Sequence, residues 1–575
     1  MVKSLPPIHK LLEDADRRGE LIPCLLSHES RIHRQEYGSL LCQLHNSGKI
    51  SLVSDNNLAA IELLAQNDFW SVIHSLDQAI PELECSYRDV LRLVHTLVSK
   101  AGSDGAAGMP NVSLVKWCKA NPEKAQLIFE EAKSLDTLCL SHCVFAIQGL
   151  GSTKLAFELL EHPDKGVAAV GLCALGRLDI DEEAVAKRVI DECCRAVEMD
   201  YGQDFRSSAI ETAFKIWEKL GPSEPYRQNE LLEAVINANE GDELVQMSAA
   251  LFYYPKGLAA ESIDRILVAL AGEVSNPQAT VHWLDHALHS NEQNFDLDKV
   301  IDIFTTQIPK LEDSIKPNYL YNFCQWIWRD SGNSAQLFSR WLTKGQFELC
   351  EFLASMVGES GKKNAIIDIP RAILPNELAD QIFMARKCVG FLWFHEVTAA
   401  SILLSIVKNG KKGAREEAEK LLYDPLLLSY SGNLRDFLEE QAKNPSRRIS
   451  DGIGRLIKHH DAYLAGLQQT EHLVEFLPTI AQRRAAAMKD RERNKGIQEQ
   501  AHKNSILSQL VSRQTLLYGK KTFSVIHGEG GKKIPSIMPL SEFSYSAELP
   551  RLSVIDPVGF NEMLMVFRIE QKVSR

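Results

Sequence analysis

The most constraining feature of this sequence is a helical spacing of apolar residues that returns along most of the 575-residue chain. Leu155, Leu159 and Leu160 share one face of a helix, and Asp164 follows as a residue type that caps the next helix. A second apolar face begins at Val167, and short turns rich in Gly, Pro and Asn separate the helical stretches. The pattern predicts pairs of short helices, so we expect a mainly α protein.

The predicted helix pairs recur with a regular period. Segment 205–210 lies 38 positions after 167–172, and 244–249 lies 39 positions after that. Residues 164–178 read D-x-x-V-x-x-x-x-x-x-A-L-G-x-L and resemble a HEAT repeat, a member of the HEAT and armadillo class of helical repeats. The Arg expected after the first apolar residue stands only at Arg206, because the flanking units have Ala and Val there.

The resemblance covers residues 140–260 most clearly. It implies an α-solenoid, in which each repeat contacts its neighbours and one concave face is left for partners. Small residues such as Gly171 and Ala174 are expected to face an adjacent helix closely.

The spacing of apolar residues changes from a helical period to a period of two after Leu510. Three runs alternate apolar and polar residues, at 522–526, 543–547 and 563–567, with Gly and Pro between them. Such alternation is typical of short strands. The predicted fold is therefore mainly α, an α-solenoid of HEAT-like helix pairs with a small β-rich C-terminal cap.

Glycine-rich stretches at 101–110 and 358–363 mark two further breaks, since Gly is costly inside a helix. The breaks and the change of period divide the chain into five predicted segments: an N-terminal helical region (1–100), a HEAT-like α-solenoid (111–358), a C-terminal helical region (376–480), a basic helix (481–512) and a small β-rich cap (513–575).

Features that would export or anchor the chain are missing from the sequence pattern. Residues 1–7 lack the apolar stretch of a secretory signal. The most apolar segment, 389–407, is interrupted by His395 and Glu396, which favours a buried helix over a membrane span of about 20 apolar residues. The 12 cysteines include no C-x-x-C pair, which is typical of reduced core thiols. We expect a cytoplasmic protein with no membrane partner.

Charge is distributed unevenly along the chain. Residues 481–575 hold 16 Lys and Arg against 9 Asp and Glu, a net of +7, and the totals of 64 and 76 leave a net of −19 for residues 1–480. An acidic body with a basic end indicates two surfaces with different partners. Docking of the basic tail on the acidic body of the same chain is the alternative.

The most specific surface signal is a cluster of Lys and Arg between 483 and 521, which only Asp490, Glu492 and Glu499 oppose. The first half of the predicted helix has no apolar face, so it either stays solvated or lies against a polyanion whose phosphates it neutralises. Few aromatic residues are interleaved, so base stacking is not indicated. The candidate residues for binding nucleic acid or another anionic partner are Arg483, Arg484, Lys489, Arg491, Arg493, Lys495, Lys503, Arg513, Lys520 and Lys521.

The best metal-like pattern consists of four side chains that a helix would align on one stripe: His282, Asp285, His286 and His289. The opposite face is apolar, so we expect the stripe to face solvent or a groove and predict no metal and no cofactor. Segment 139–143, with two Cys and one His, is interpreted as core thiols, and 459–461 is a common His-Asp pair. Segment 528–533 has the Gly and Lys of a phosphate loop but lacks its first Gly and its Ser or Thr, so no catalytic residue is predicted.

These patterns predict a non-enzymatic scaffold or adaptor subunit of a larger cytosolic complex. Its acidic body would bind a protein partner, and its basic C-terminal surface would bind nucleic acid or an acidic protein. The alternative is a metal-dependent hydrolase or nuclease-type enzyme with a dispersed His/Asp site. A repeat groove that binds nucleic acid along its whole length is disfavoured, because a phosphate-binding groove needs a positive lining.

Overall fold

The computed structural model describes residues 8–28, 34–102, 108–198, 203–223, 225–238, 242–291, 295–311, 317–359, 365–443, 446–469, 479–503, 513–518, 521–527, 533–539, 548 and 550–572. Over these residues the chain is mainly α-helical, which confirms the predicted class. The chain divides into two compact units, 1–333 and 334–575.

The first unit is built from short α-helices joined by turns. Those in its described part are α1 (Ile8–Arg17), α2 (Leu21–His28), α3 (Arg34–Asn46), α4 (Asp55–Glu62), α5 (Gln66–Ala79), α6 (Tyr87–Ala101), α7 (Gly108–Ala120), α8 (Pro122–Lys133), α9 (Thr137–Leu150), α10 (Thr153–Leu160), α11 (Lys165–Arg177), α12 (Glu183–Glu198), α13 (Gln203–Leu220), α14 (Gln228–Ala238), α15 (Glu243–Tyr253), α16 (Ala260–Leu270), α17 (Pro277–Asn291), α18 (Leu297–Gln307) and α19 (Tyr321–Arg329). Short 3₁₀ helices cover Ile80–Glu82, Ile308–Lys310 and Pro317–Leu320.

These helices pack in a regular order. From α7 to α19 each odd-numbered helix contacts the next odd-numbered one, and α12, α14, α16 and α18 contact one another in the same way. Neighbours in sequence, such as α10 with α11 and α12 with α13, also pack together. Helices from α7 to α19 therefore cover their apolar stripes with helices one or two places away along the chain.

Local sequence sets where several of these helices begin and end. The side chain of Asp164 accepts a hydrogen bond from the backbone N–H of Val167 at 3.1 Å, as expected for the cap of α11. Ser152 caps α10 in the same way, through the N–H of Leu155. Helix α9 ends at Gly151, whose φ of +64° suits glycine best. Short polar turns thus position α9, α10 and α11 against one another.

The segments that recur in the sequence lie on α11, α13 and α15, which are successive helices of the odd-numbered row. The hydroxyl of Thr212 on α13 donates to the carbonyl of Leu172 on α11 at 3.0 Å. The guanidinium of Arg206 donates to both carboxylate oxygens of Glu243, the first residue of α15, at 2.6 and 3.1 Å. Polar contacts between equivalent parts of successive helices therefore accompany the apolar packing.

Gly171 lies where α11 contacts α10, as the small residues of this helix predict. A Cβ atom at this position would lie 2.6 Å from the backbone N of Leu160 and 2.7 Å from the carbonyl O of Ala156. Both atoms belong to the backbone of α10, so they cannot move aside as a flexible side chain would. Ala174, one turn further along α11, is fully buried.

We expect the Gly171→Leu variant to lose about 1–3 kcal/mol of its free energy of unfolding, because the larger side chain forces α10 and α11 apart. Gly454 is the matched control, since a Cβ there would meet no atom within 4 Å. Gly454→Leu should leave stability unchanged or raise it slightly, because Gly is a poor helix former. Denaturant unfolding of both variants measures the difference, and equal stabilities would show that Gly171 is not at a tight contact.

The described part of the second unit contains helices, one small sheet and a single turn of π-helix at Leu422–Leu427. Its described α-helices are α20 (Ser331–Lys344, which begins just before the division), α21 (Phe347–Glu359), α22 (Leu378–Phe391), α23 (Glu396–Asn409), α24 (Lys412–Leu421), α25 (Asn433–Gln441), α26 (Arg447–Gln468), α27 (Ile480–Lys503), α28 (Arg551–Ile555) and α29 (Pro557–Ile569). The strands β1 (Arg513–Tyr518), β2 (Lys521–His527) and β3 (Lys533–Pro539) pair antiparallel in the order β1-β2-β3.

Helix α22 lies at the centre of the second unit and packs on α23, α24 and the C-terminal helix α29. The rings of Trp393 and Phe560 lie 4.6 Å apart between centroids. Arg568 donates from Nε to the carbonyl of Gly390 at 2.6 Å, and Arg386 pairs with Glu570 at 3.0 Å. The end of the chain therefore folds back on α22 through apolar, polar and ionic contacts.

The prediction of a strand at 563–567 was wrong, because this segment lies within α29. Asp556 caps the helix by accepting from the N–H of Gly559 at 3.0 Å. Phe560 and Leu564, spaced four apart, are buried, so a helical face explains the apolar run as well as alternation does.

The remaining strand predictions have different outcomes. Run 522–526 lies within β2, and run 543–547 lies outside the described residues. A β-rich C-terminal cap is not supported, because helices α28 and α29 follow the strands among the described residues.

The long apolar segment 389–407 contains the end of α22 and most of α23, and every side chain from Val397 to Val407 is buried. Within the described parts of the chain, no helix combines the length and apolar character needed to cross a membrane.

Candidate nucleic-acid interface and metal-like clusters

Helix α27 carries the first part of the predicted anionic-partner surface, and its start is defined by a capping box. The backbone N–H of Gln482 donates to Oγ1 of Thr479 at 3.2 Å, and the backbone N–H of Thr479 donates to Oε1 of Gln482 at 2.7 Å. These reciprocal bonds satisfy two backbone donors that a helix start leaves open. The local sequence therefore begins α27 at Ile480, close to the predicted position 481.

Side chains on α27 are exposed wherever the structure describes them, over 480–492 and 494–496. Even the apolar side chains are open to solvent, with Ile480 65 % and Met488 63 % exposed. A surface helix of a globular protein normally buries one apolar stripe. Helix α27 has no such stripe in its described part. Burial of an apolar face against the second unit therefore does not explain why this helix is present.

Five of the ten predicted cations are exposed on this helix: Arg483, Arg484, Lys489, Arg491 and Lys495. The structure describes only the backbone of four more, Arg493 and Lys503 in α27, Arg513 in β1 and Lys521 in β2. Lys520 and the predicted helix end at 504–512 lie outside the described residues. The structure therefore places seven of the ten predicted cations on one helix, five of them with exposed side chains.

Helix α17 carries the metal-like stripe, and its acidic member has a structural role. Asp285 is only 3 % exposed. One of its carboxylate oxygens accepts from the backbone N–H of Phe323 at 2.7 Å, and the other accepts from the side-chain amide of Asn322 at 3.0 Å. Burial raises the pKa of Asp285, although these hydrogen bonds oppose the change. The carboxylate caps the start of α19.

The three histidines of the stripe do not form a closed set. The rings of His282 and His286 meet edge to face with centroids 4.6 Å apart, while His289 is exposed. Burial and the neighbouring His286 lower the pKa of His282. Among the described residues no group of three or more His, Cys, Asp or Glu side chains could hold a metal ion.

Segment 139–143 lies in α9 with Cys139, His142 and Cys143 buried, as the core-thiol interpretation predicts. Burial raises the pKa of the Cys139 and Cys143 thiols to about 12, so both stay protonated near neutral pH. Burial also lowers the pKa of His142 to about 4. Neither ring nitrogen of His142 has a hydrogen-bond partner within the described structure. A thiol must lose its proton to bind a metal, so the raised pKa values of these buried thiols disfavour a metal site here.

The His-Asp pair at 459–461 is split between two environments on α26. His460 is fully buried, and burial lowers its pKa. Asp461 is exposed and pairs with Arg435 at 2.5 Å, which lowers the pKa of its carboxyl group. Since the two side chains face different surroundings, they do not form one site.

Sequence reasoning missed a polar site in the second unit, where Arg371, Lys408, Lys411 and Arg448 line one cavity. Arg448 lies 37 or more residues away from the other three along the chain. No local spacing could have indicated that they meet.

Comparison of the whole sequence with models of known protein families gives no match, and neither does comparison with curated proteins.

Proposed function

We propose that the protein is a non-enzymatic scaffold of HEAT-like α-solenoid type whose exposed basic helix α27 binds the phosphate backbone of a nucleic acid. The solenoid part of the proposal is supported by the packing of the first unit, where the odd-numbered helices from α7 to α19 and the even-numbered helices from α12 to α18 each contact the next helix of their row. Stacked helix pairs with a period of 38 or 39 residues are the arrangement that gives repeat proteins an extended binding face.

The observation that carries the proposal is the exposure of α27. It is a 24-residue helix whose described side chains are all open to solvent and whose sequence holds seven Lys and Arg against three Asp and Glu. Cations that are not buried and not matched by equal numbers of carboxylates attract a polyanion and release its counterions on binding. Recognition would be of charge, because Lys and Arg at phosphates carry no sequence information.

A protein partner for the acidic remainder of the chain, and a place for the protein in a larger cytoplasmic complex, belong to the same proposal. The net charge of −19 over residues 1–480 disfavours nucleic-acid binding there and suits a partner with a basic surface. A scaffold with one acidic and one basic surface could hold such a partner close to nucleic acid.

Replacing Arg483, Arg484, Lys489 and Arg491 with alanine should weaken binding of mixed-sequence DNA at least tenfold near 50 mM salt, since about four phosphate contacts are removed. The log–log slope of affinity against salt should become shallower by about one for each lost contact. Fluorescence anisotropy with labelled single- and double-stranded DNA, from about 50 to about 200 mM salt, measures both quantities. The melting temperature should stay the same, because these four side chains are exposed.

The matched control replaces Arg483, Arg484 and Arg491 with lysine, which keeps the charge and should keep most of the affinity and the salt slope. A tail that docks on its own acidic body would show a different result, with no DNA binding by the wild type and a lower melting temperature in the alanine variant. Binding of equal strength by the wild type and the alanine variant would remove α27 as the interface.

A further inference from the structure

A cavity of about 310 Å³ in the second unit is lined by four cationic side chains from four separate segments. Arg371 comes from the turn before α22, Lys408 from the end of α23, Lys411 from the residue before α24, and Arg448 from the start of α26. The volume falls at the lower end of the range typical of small-molecule pockets, about 300–1,000 Å³. Folding therefore brings distant positive charges around one small concave space.

Negative charge does not balance these cations inside the cavity. Among the described residues that line it there is no carboxylate. Asp368 lies outside and pairs with Lys408 at 3.1 Å. Arg448 donates to the carbonyl of Lys408 at 3.2 Å, a neutral acceptor. Like charges around one cavity repel one another where no carboxylate lies between them, and a bound anion would relieve that repulsion.

The start of α24 adds to the positive potential. Lys411 occupies the capping position and makes no side-chain cap bond in the described structure, and Lys412 is the first residue of the helix. A helix start carries a partial positive charge and is normally stabilised by acidic side chains. Two lysines at this position lower the stability of the helix, so a contribution to folding does not explain why they are there. An anion at the cavity would be attracted by both the lysines and the helix start.

Hydrogen bonds hold the walls of the cavity in place. Gln381 is 4 % exposed, donates to the carbonyl of Pro375 at 2.7 Å and accepts from the backbone N–H of Lys411 at 2.8 Å. Asn409 donates to the carbonyl of Ile369 at 3.0 Å. At Gly410 a Cβ atom would lie 2.5 Å from the carbonyl O of Ile406, so the chain passes too closely for a larger residue. The cavity is therefore formed before any ligand arrives.

We infer that this cavity binds the phosphate group of a small phosphorylated molecule. Guanidinium and ammonium groups are the side chains that bind phosphate oxygens best, and here two of each converge. A small concave space suits a compact, multiply charged anion, whereas a nucleic-acid strand is better matched by an extended surface such as α27. The inference does not depend on the function proposed for α27.

Calorimetry on the full chain tests the inference by measuring the binding of three probes: inorganic phosphate, pyrophosphate and a nucleoside monophosphate. We expect saturable binding by the wild type and a loss of at least tenfold in affinity in the Lys411→Gln/Arg448→Gln variant. The matched control is Lys420→Gln/Lys458→Gln, which removes the same amount of charge from α24 and α26 at positions away from the cavity. This control should bind the probes like the wild type.

A single-stranded oligonucleotide without terminal phosphates distinguishes binding of a small phosphorylated ligand from binding of a nucleic-acid backbone. Retained oligonucleotide binding in the Lys411→Gln/Arg448→Gln variant, with pyrophosphate binding lost, supports the inference. Circular dichroism and melting without anion show whether that variant is folded, and Arg371→Gln provides a second substitution in a turn, outside any helix. The inference fails if the wild type shows no saturable binding of any probe, if both double variants weaken it equally, or if only oligonucleotide binding changes.

Discussion

Replacing Glu243 with alanine should lower the free energy of unfolding of the first unit by about 3–5 kcal/mol, the range measured when one partner of a buried ion pair is removed. Glu243 is 1 % exposed, and its carboxylate accepts two hydrogen bonds from Arg206, which is 8 % exposed. Without it, the guanidinium of Arg206 keeps its charge in a dry site, with the carbonyl of Val197 as one remaining acceptor. Denaturant unfolding monitored by circular dichroism measures the loss.

Two further variants show whether the effect comes from the buried charge. In Arg206→Leu/Glu243→Leu both charges are gone, so most of the lost stability should return. Glu158→Ala removes one partner of an exposed pair, with Lys133 at 2.5 Å, and should cost less than about 1 kcal/mol. If Glu243→Ala were as mild as Glu158→Ala, the Arg206–Glu243 pair would not be an important link between α13 and α15.

Replacing His142 with leucine should make the protein markedly more resistant to acid. The pKa of His142 is lowered from 6.5 to about 4, chiefly by burial and also by the neighbouring His95. Between these two values the unfolded chain takes up a proton that the folded chain does not, so stability falls as the pH falls through this window. The difference corresponds to about 3 kcal/mol at pH 4, and His142→Leu should abolish that part of the acid sensitivity.

The same substitution should be neutral or stabilising at pH 7, because neither ring nitrogen of His142 has a partner in the described structure. His142→Asn is the matched variant, since it cannot titrate but still buries a polar group. It should resist acid like the leucine variant while being less stable at every pH. Unfolding free energies measured from pH 7 to pH 4 test both variants, and a wild-type acid dependence in both would contradict the assignment.

Much of the fold could be predicted because it depends on neighbouring residues. The cap at Asp164, the end of α11 at Arg177 and the contact at Gly171 all follow from spacing and residue type within about one turn of helix. The basic helix was predicted for the same reason, since a run of charges without an apolar stripe is visible in the sequence alone. Seven of the ten predicted cations lie on α27, and the side chains of five of them are exposed.

The errors and omissions concern contacts between distant segments. Segment 563–567 has an apolar pattern that suits a strand or a helix, and packing of α29 on α22 decides for the helix. Asp285 was grouped with the histidines of its own helix, α17. Its carboxylate instead accepts from the backbone N–H of Phe323, 38 residues further along the chain, and so caps α19. The cation-lined cavity needs four segments to meet, which no spacing along the chain can indicate.

By itself the sequence determined the mainly helical character, the starts and ends of many helices and the separation of acidic and basic regions. These depend on backbone propensity, capping and charge, which act over a few residues. The tertiary structure alone decided which polar groups are buried together, as at Arg206 and Glu243, and which stay exposed. Burial and pairing depend on which surfaces meet in space, because the cost of a buried charge is set by the atoms around it and not by its neighbours in the chain.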